Sequence, residues 1–503
     1  MKHKQIFWNA ATTMVQVIGS AGSLFILYRF LIRTIGIEKL GIWSLVLATT
    51  SVVTLANQGF STSIVKFVAK YAALNRPERV CSLIETAFLT IGGVLAVVCI
   101  ALYPLAHWGL KLILPAARVS EAASLLPFTL ASLWINIVGS ILLAGLAGYE
   151  LIAYRNYVVL GGSILYLLLS ILWVPRHGLL GLAYAQTTNT AACFLATWYL
   201  LRRTIPQLSI IPRRWDRNLF REMWGYGVEF QFITVSQAVR EPVTKVLLAK
   251  FGGLAMTGFY DMASRWVFTF RELIVQANLV LVPTISGLRE KDPGAIPRIY
   301  RESYRLIFFL AVPTFAFLVA VSPVVSRVWL GQYEPTFVAF VGLLAMGWLI
   351  NILSNPAYVV DLGTGRLRWV SIGCAVTGIL NPALGYFAGK YLGGVAVVGI
   401  SALSLAAGYT IVLVAYHLEN CIPFRALIPE ASSKIICASG GGVIAFFPYF
   451  CGGNVHSLTF IRTVSGVALA LVTMIVLPMW LHPMRRRLIS WASSRIPAER
   501  IAS

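Results

Sequence analysis

Residues 225–283 read GYGVEFQFITVSQAVREPVTKVLLAKFGGLAMTGFYDMASRWVFTFRELIVQANLVLVP. About 20 apolar residues cross the hydrocarbon core of a bilayer, so the stretch is long enough for two spanning helices joined by a tight turn at Gly252 and Gly253. Yet it carries Glu229, Arg240, Glu241, Lys245, Asp261, Arg265, Arg271 and Glu272. A charge near the bilayer centre costs about 2.5–3.5 kcal/mol even on the lenient insertion scale, so such groups face a protein interior or a wet cavity and mark pathways. Two later spans, over residues 370–418, hold one formal charge, Lys390. The charge in 225–283 is therefore selected, and the remainder of the chain is its housing.

The spacing predicts a polar face on each helix. Asp261, Arg265, Thr269, Glu272 and Gln276 follow one another by three or four residues, which lays them along one side of a helix. Gln231, Thr234, Gln237, Glu241 and Lys245 do the same on the preceding helix, and Arg240 continues a neighbouring row with Glu229 and Ser236. Asp261 and Arg265, at i and i+4, also have the spacing of a simple neutralising pair.

The composition belongs to a polytopic membrane protein: 58% hydrophobic, 12% charged, with a mean hydropathy of +0.77. The net charge of +22 is a loop bias; no basic run interleaved with aromatics stands outside the spans, so nucleic acid is not an expected partner. The first apolar run follows Met1 almost at once and is span-length, so no cleaved signal peptide is expected. Seven cysteines sit singly, without CxxC or Cys/His clusters, so neither a disulfide framework, a metal site nor a cofactor is predicted.

Hydropathy predicts spans near 6–31, 37–58, 82–105, 122–147, 156–175, 178–201, 225–249, 254–283, 303–326, 336–359, 369–390, 393–418, 433–452 and 461–481. Most of the 41 Lys and Arg residues fall on one side of this alternation, in the segments around 66–79, 202–221, 289–305 and the tail after Pro483. The positive-inside rule then places both termini in the cytoplasm. Span one carries its own polar stripe, Asn9, Thr13, Gln16, Ser20 and Ser23, with Arg29 beyond it; such a stripe lines a cavity or bonds helix to helix.

The two halves look like copies. RTIGIEKLGIW at 33–43 and KFGGLAMTGFY at 250–260 align basic, Gly, Gly and aromatic positions at a shift of 217 residues. The same shift carries Gly148 onto Gly365, and a shift of 218 carries Gly181 onto Gly399. A repeat in parallel orientation implies a pseudo-two-fold axis along the membrane normal. The expected organisation is a six-helix lobe over 1–202, a cytoplasmic linker over 203–224, a second six-helix lobe over 225–419, and two extra transmembrane helices with a basic tail over 420–503. The fold class is an all-α polytopic membrane protein of about 14 transmembrane helices, arranged as two pseudo-symmetric six-helix bundles plus two C-terminal helices.

With the G-x4-G-x-aromatic turns at Gly36–Trp43 and Gly253–Tyr260, and the turns GLAG at 145–148 and DLGTG at 361–365, the first 420 or so residues resemble the multidrug/oligosaccharidyl-lipid/polysaccharide exporter superfamily. The two extra spans resemble its polysaccharide-transport branch, the lipid-linked-sugar and O-antigen flippases. That resemblance implies a non-enzymatic flippase that moves an undecaprenyl-diphosphate-linked oligosaccharide across the bacterial inner membrane by alternating access, for surface polysaccharide biosynthesis. The implied partners are the lipid-linked oligosaccharide, membrane lipids, and a polymerase and glycosyltransferase of the same pathway. A diphosphate cargo suits Arg240, Lys245, Arg265 and Arg271, with Gln237 and Arg29, as substrate-binding groups. Glu229, Glu241, Asp261 and Glu272 then balance charge, or one carries a coupling proton. A cation- or proton-coupled multidrug antiporter of the same fold is the alternative, although its site should lean acidic where this one is mixed. A membrane-embedded glycan polymerase or ligase fits less, because the short external loops offer no paired carboxylate or nucleophile.

Topology reporters test the alternation directly. Fusions after His177 and Gly331 should report the outside, and fusions after Arg214 and Lys291 the inside; inverted signals at two of these sites would refute the arrangement.

Overall fold

The computed structural model describes residues 2–51, 63–149 apart from positions 66, 69, 73 and 75, then 151–208, 214–221, 240–279, 285, 292–430, 432–452 and 460–481. Among the described residues there is no strand. The helices are α1 (Lys2–Ile35), α2 (Ile37–Ser51), α3 (Pro77–Ile113), α4 (Ala116–Gly148), α5 (Ile152–Thr204), α6 (Arg240–Phe251), α7 (Gly253–Leu279), α8 (Ile296–Leu330), α9 (Pro335–Thr364), α10 (Arg368–Leu392), α11 (Gly394–Glu419), α12 (Ser433–Gly452) and α13 (Phe460–Leu471). A π turn at Val472–Val476 and a last helical turn at Leu477–Leu481 prolong α13. Ten helical stretches among the described residues are long and apolar enough to cross a membrane. The chain is a multi-pass membrane protein.

Local chemistry explains the breaks. At about 1.5 Å per residue, the 53 residues of α5 would run some 80 Å if straight, more than twice the hydrocarbon thickness. Gly178 breaks it, with φ 57° and ψ −132°, a backbone region open essentially only to glycine. The two arms correspond to the predicted spans 156–175 and 178–201. The predicted third span starts at 82, whereas α3 starts at Pro77: its first turn, PERV, is too polar for a hydropathy window, but proline at the first helical position suits it. α3 carries a π turn at Phe88–Gly92, and the indole of Trp134 donates to the Gly92 carbonyl at 2.8 Å.

The chain divides into two compact units, Met1–Asp261 with Pro382–Val397, and Met262–Asn381 with Val398–Ser503. In the first, apolar faces of α3 and α4, including Leu83, Ile84, Ile91, Ile137 and Ile141, form a core that also takes up Leu201, Leu208 and Leu219. The linker is strapped to α3: the backbone N–H of Arg214 donates to the buried carboxylate of Glu85 at 2.8 Å, and that of Asp216 to the Thr86 hydroxyl at 3.1 Å. The polar stripe of α1 meets α5. Asn156 donates to Thr12 and Thr13 at 3.2 and 2.9 Å, and Ser163 to Ser20 at 2.9 Å, so at these positions the stripe bonds helix to helix.

In the second unit, Phe309 and Phe315 of α8 and Phe337 and Phe340 of α9 are fully buried. Arg327, near the end of α8, donates to the carbonyls of Phe450 and Cys451 at 2.6 and 2.9 Å. These are unsatisfied acceptors at the C-terminus of α12, where a cation is favoured.

Polar contacts agree with the alternation of spans. Arg118–Glu38 and Lys39–Glu121 link the connections predicted outside, and Arg79–Asp216 links two predicted inside. In the second unit Arg305–Glu430 and Trp369–Glu419 likewise each join segments of one predicted side.

Gly178→Ala places a Cβ on a backbone that only glycine adopts freely, costing about 1–3 kcal/mol. The purified protein should melt several degrees lower in detergent, while Gly161→Ala, in open helical space, should melt as the parent does.

Candidate functional site: buried charges on α6 and α7

The short turn between α6 and α7 sets the site. Gly253 has φ 85°, the left-handed conformation that needs no Cβ, so the chain reverses within two residues and lays the start of α7 beside α6. Its counterpart Gly36, between α1 and α2, has φ 82°. The match between Gly148 and Gly365 does not extend to conformation: Gly365 has φ 72°, whereas Gly148 ends α4 within the helix and packs against Val68.

Three of the expected charges come together in the first unit. The Lys245 ammonium, one turn past Glu241, lies 3.0 Å from that carboxylate and 2.6 Å from Asp261. The hydroxyl of Tyr28, on α1, donates to the other oxygen of Asp261. Lys245 and Asp261 are 5% and 2% exposed, so each is a charge held without bulk water. Asp261 is thus engaged across a gap of 233 residues, as well as sitting at helical spacing from Arg265. Arg240 begins the described part of α6 and is buried; Arg29 is half-buried next to Tyr28 on α1. Glu229 and Gln237 lie outside the described residues.

The second unit holds the other group. Arg271 donates through Nη1 to Glu272 at 2.8 Å and through Nε to Asn351 of α9 at 3.3 Å. Its guanidinium lies 5.1 Å from the ring centre of Trp348 and 5.5 Å from that of Phe268, against two rings that themselves pack edge to face at 5.6 Å. Nη2 has no hydrogen-bond partner among the described residues, so one of the three guanidinium nitrogens is unengaged there. Two turns further along α7, Asn278 donates to Asn355 at 2.7 Å and accepts from Ser303 at 2.6 Å. Arg265 lies half-buried between these groups in sequence, and Thr269 caps its carbonyl at 2.8 Å. Sequence spacing missed Tyr28, Trp348 and Asn351, which reach the charges from other helices. Only the apolar setting of these polar and aromatic groups could have pointed to them.

The fold, a set of membrane-length helices with buried ions on α6 and α7, is shared with solved membrane transporters. A lipid II flippase, MurJ, in an inward closed conformation, superposes with a TM-score of 0.71 at 12% identity, over 96% of this chain and 99% of that one. An inward-facing multidrug resistance transporter of the MATE family in the MOP superfamily gives 0.69 at 13% identity, over 81% and 96%. A MOP-superfamily transporter from Pyrococcus furiosus gives 0.61 at 14% identity, over 82% and 95%. No curated protein matches the chain. The family model described as polysaccharide biosynthesis protein matches residues 30–335, well over half of the sequence, and the chain belongs to that family. The family expected from the repeated turns is the one found, and the all-helical membrane fold with it, although ten candidate spans rather than fourteen stand among the described residues.

Lys245→Met takes the Lys245 ammonium away from the buried Asp261 carboxylate; removing one partner of a buried pair costs about 3–5 kcal/mol. Thermal stability and membrane abundance should fall. The pair Lys245→Met with Asp261→Asn should recover most of the loss, and no recovery would show that the two are not energetically coupled.

Proposed function

We propose that the protein is a flippase that carries an undecaprenyl-diphosphate-linked oligosaccharide across the bacterial inner membrane for surface polysaccharide biosynthesis, by alternating access with both termini in the cytoplasm. The glycan would be of the O-antigen or exopolysaccharide kind, and a polymerase and glycosyltransferase of the same pathway would be its working partners. No bond is made or broken in this role.

Membership of a polysaccharide biosynthesis family supports the reading, as does a fold shared with a lipid II flippase. The observation that carries it is Arg271. A guanidinium at membrane depth, flanked by the packed pair Phe268 and Trp348 and with Nη2 unengaged among the described residues, is suited to take an oxygen of a phosphate. The flanking rings offer apolar faces to a sugar ring or a prenyl segment. The same positive edge disfavours the cationic substrates of a multidrug antiporter.

Arg271→Ala should reduce surface glycan by about tenfold or more, the size expected for a lost hydrogen bond to a charged group, with unchanged protein in the membrane. Arg271→Lys should restore part of the export, because charge survives and the planar fork does not. Lys390→Ala, on an exposed position of α10, should change little. If Arg271 served only to neutralise Glu272, Arg271→Ala would lower abundance and adding Glu272→Gln would rescue export; that pattern would refute the role.

A further inference from the structure

The described part of the first unit contains a contact that repeats itself. The shift of 217 residues carries Ile37 onto Leu254 and Gly41 onto Gly258. A Cβ on Gly41 would lie 2.0 Å from the Leu254 carbonyl oxygen, and one on Gly258 would lie 2.8 Å from the Ile37 carbonyl oxygen. Each glycine thus presses on the residue equivalent to the one its counterpart presses on. Such reciprocity is the signature of contact across a two-fold axis. The first turns of α2 and α7 therefore cross backbone to backbone, at the end of the bundle that the basic-residue bias assigns to the outside.

Beside this crossing the symmetry is broken in one place. Tyr28 and Lys245 are equivalent positions, and both bond Asp261. The equivalent of Asp261 is Ser44, whose hydroxyl is fully buried and has no hydrogen-bond partner among the described residues. One carboxylate thus gathers a donor from each half of the repeat, where two symmetric halves would need two.

We propose that the α2–α7 crossing is the outer gate of the transport cycle, and that Asp261, clasped by Tyr28 and Lys245, is its latch. The glycines allow a seal too tight for water, and the carboxylate holds the two repeats together across it. Opening exchanges the two hydrogen bonds for water and parts the backbones. This role rests on the alternating-access reading, but its test needs no cargo.

Ser44→Cys places a thiol at a buried position one turn beyond Gly41. Intact cells are treated with a membrane-impermeant maleimide, and the chain without Ser44→Cys gives the background from native cysteines. With the latch intact, Cys labelling at position 44 should be slow. Tyr28→Phe, which removes a single oxygen, and the paired Lys245→Met with Asp261→Asn should each speed it by about tenfold or more, on the loss of a hydrogen bond to a charged group. Rates equal to the latched chain in both variants, at matched membrane abundance, would overturn the proposal. Arg271→Ala should leave labelling slow even where export is lost, so failure of the gate and failure of the cargo site remain distinguishable.

Discussion

The ammonium of Lys245 stands 2.6 Å from Asp261 and 3.0 Å from Glu241, at a position almost sealed from solvent. Desolvating a cation and a carboxylate costs several kcal/mol per ion, and their attraction offsets that only where geometry and further hydrogen bonds are good. Here the requirement is met by three helices at once. α6 brings Lys245 and Glu241 on one face, α7 brings Asp261, and α1 brings the Tyr28 hydroxyl to the second carboxylate oxygen. The positions of those helices are therefore tied to one another by a debt none could settle alone.

Close approach of the backbones is what lets so short a set of side chains meet. Lys245 and Asp261 are 16 residues apart in the chain, which in one straight helix would separate them by about 24 Å. The left-handed Gly253 folds that distance back, and the glycines at 41 and 258 then let α2 settle on the start of α7 with only backbone between them. A side chain at either glycine would move the carbonyl it faces and, with it, the turn that aims Asp261. Turn chemistry and ion pairing are two parts of one local solution.

Much of this was legible in the sequence. Hydropathy placed most of the long apolar helices, though ten stretches among the described residues, not fourteen, are long and apolar enough to cross a membrane, and the bend in α5 at Gly178 falls where one predicted span ends and the next begins. The shared turns at Gly36 and Gly253 were legible because a left-handed residue is so often glycine. The cluster around Asp261 was half legible. Helical spacing put Glu241 and Lys245 on one face, but nothing local could join Tyr28 to Asp261 across 233 residues of chain. The polar stripe of α1 admitted two meanings until Asn156 and Ser163 supplied partners for Thr13 and Ser20, since a hydroxyl in a membrane helix looks the same facing water or a neighbouring helix. Arg271 stood out in the sequence as a charge in an apolar run, but its contact with Trp348, on another helix 77 residues away in the chain, did not.

Charge on α7 is of two kinds, and the difference is in how completely it is satisfied. Asp261 lies eight residues into the helix and has donors on both oxygens, Tyr28 on one and Lys245 on the other. Arg271 lies ten residues further, about 15 Å along the axis. Glu272 and Asn351 engage Nη1 and Nε, and the aromatic faces supply much of its remaining stabilisation. A fully satisfied ion favours one arrangement of helices, whereas a partly satisfied one keeps the capacity to take an anionic ligand. The proposed flippase would use both behaviours, because a gate must have a preferred closed state and a cargo site must exchange its partners.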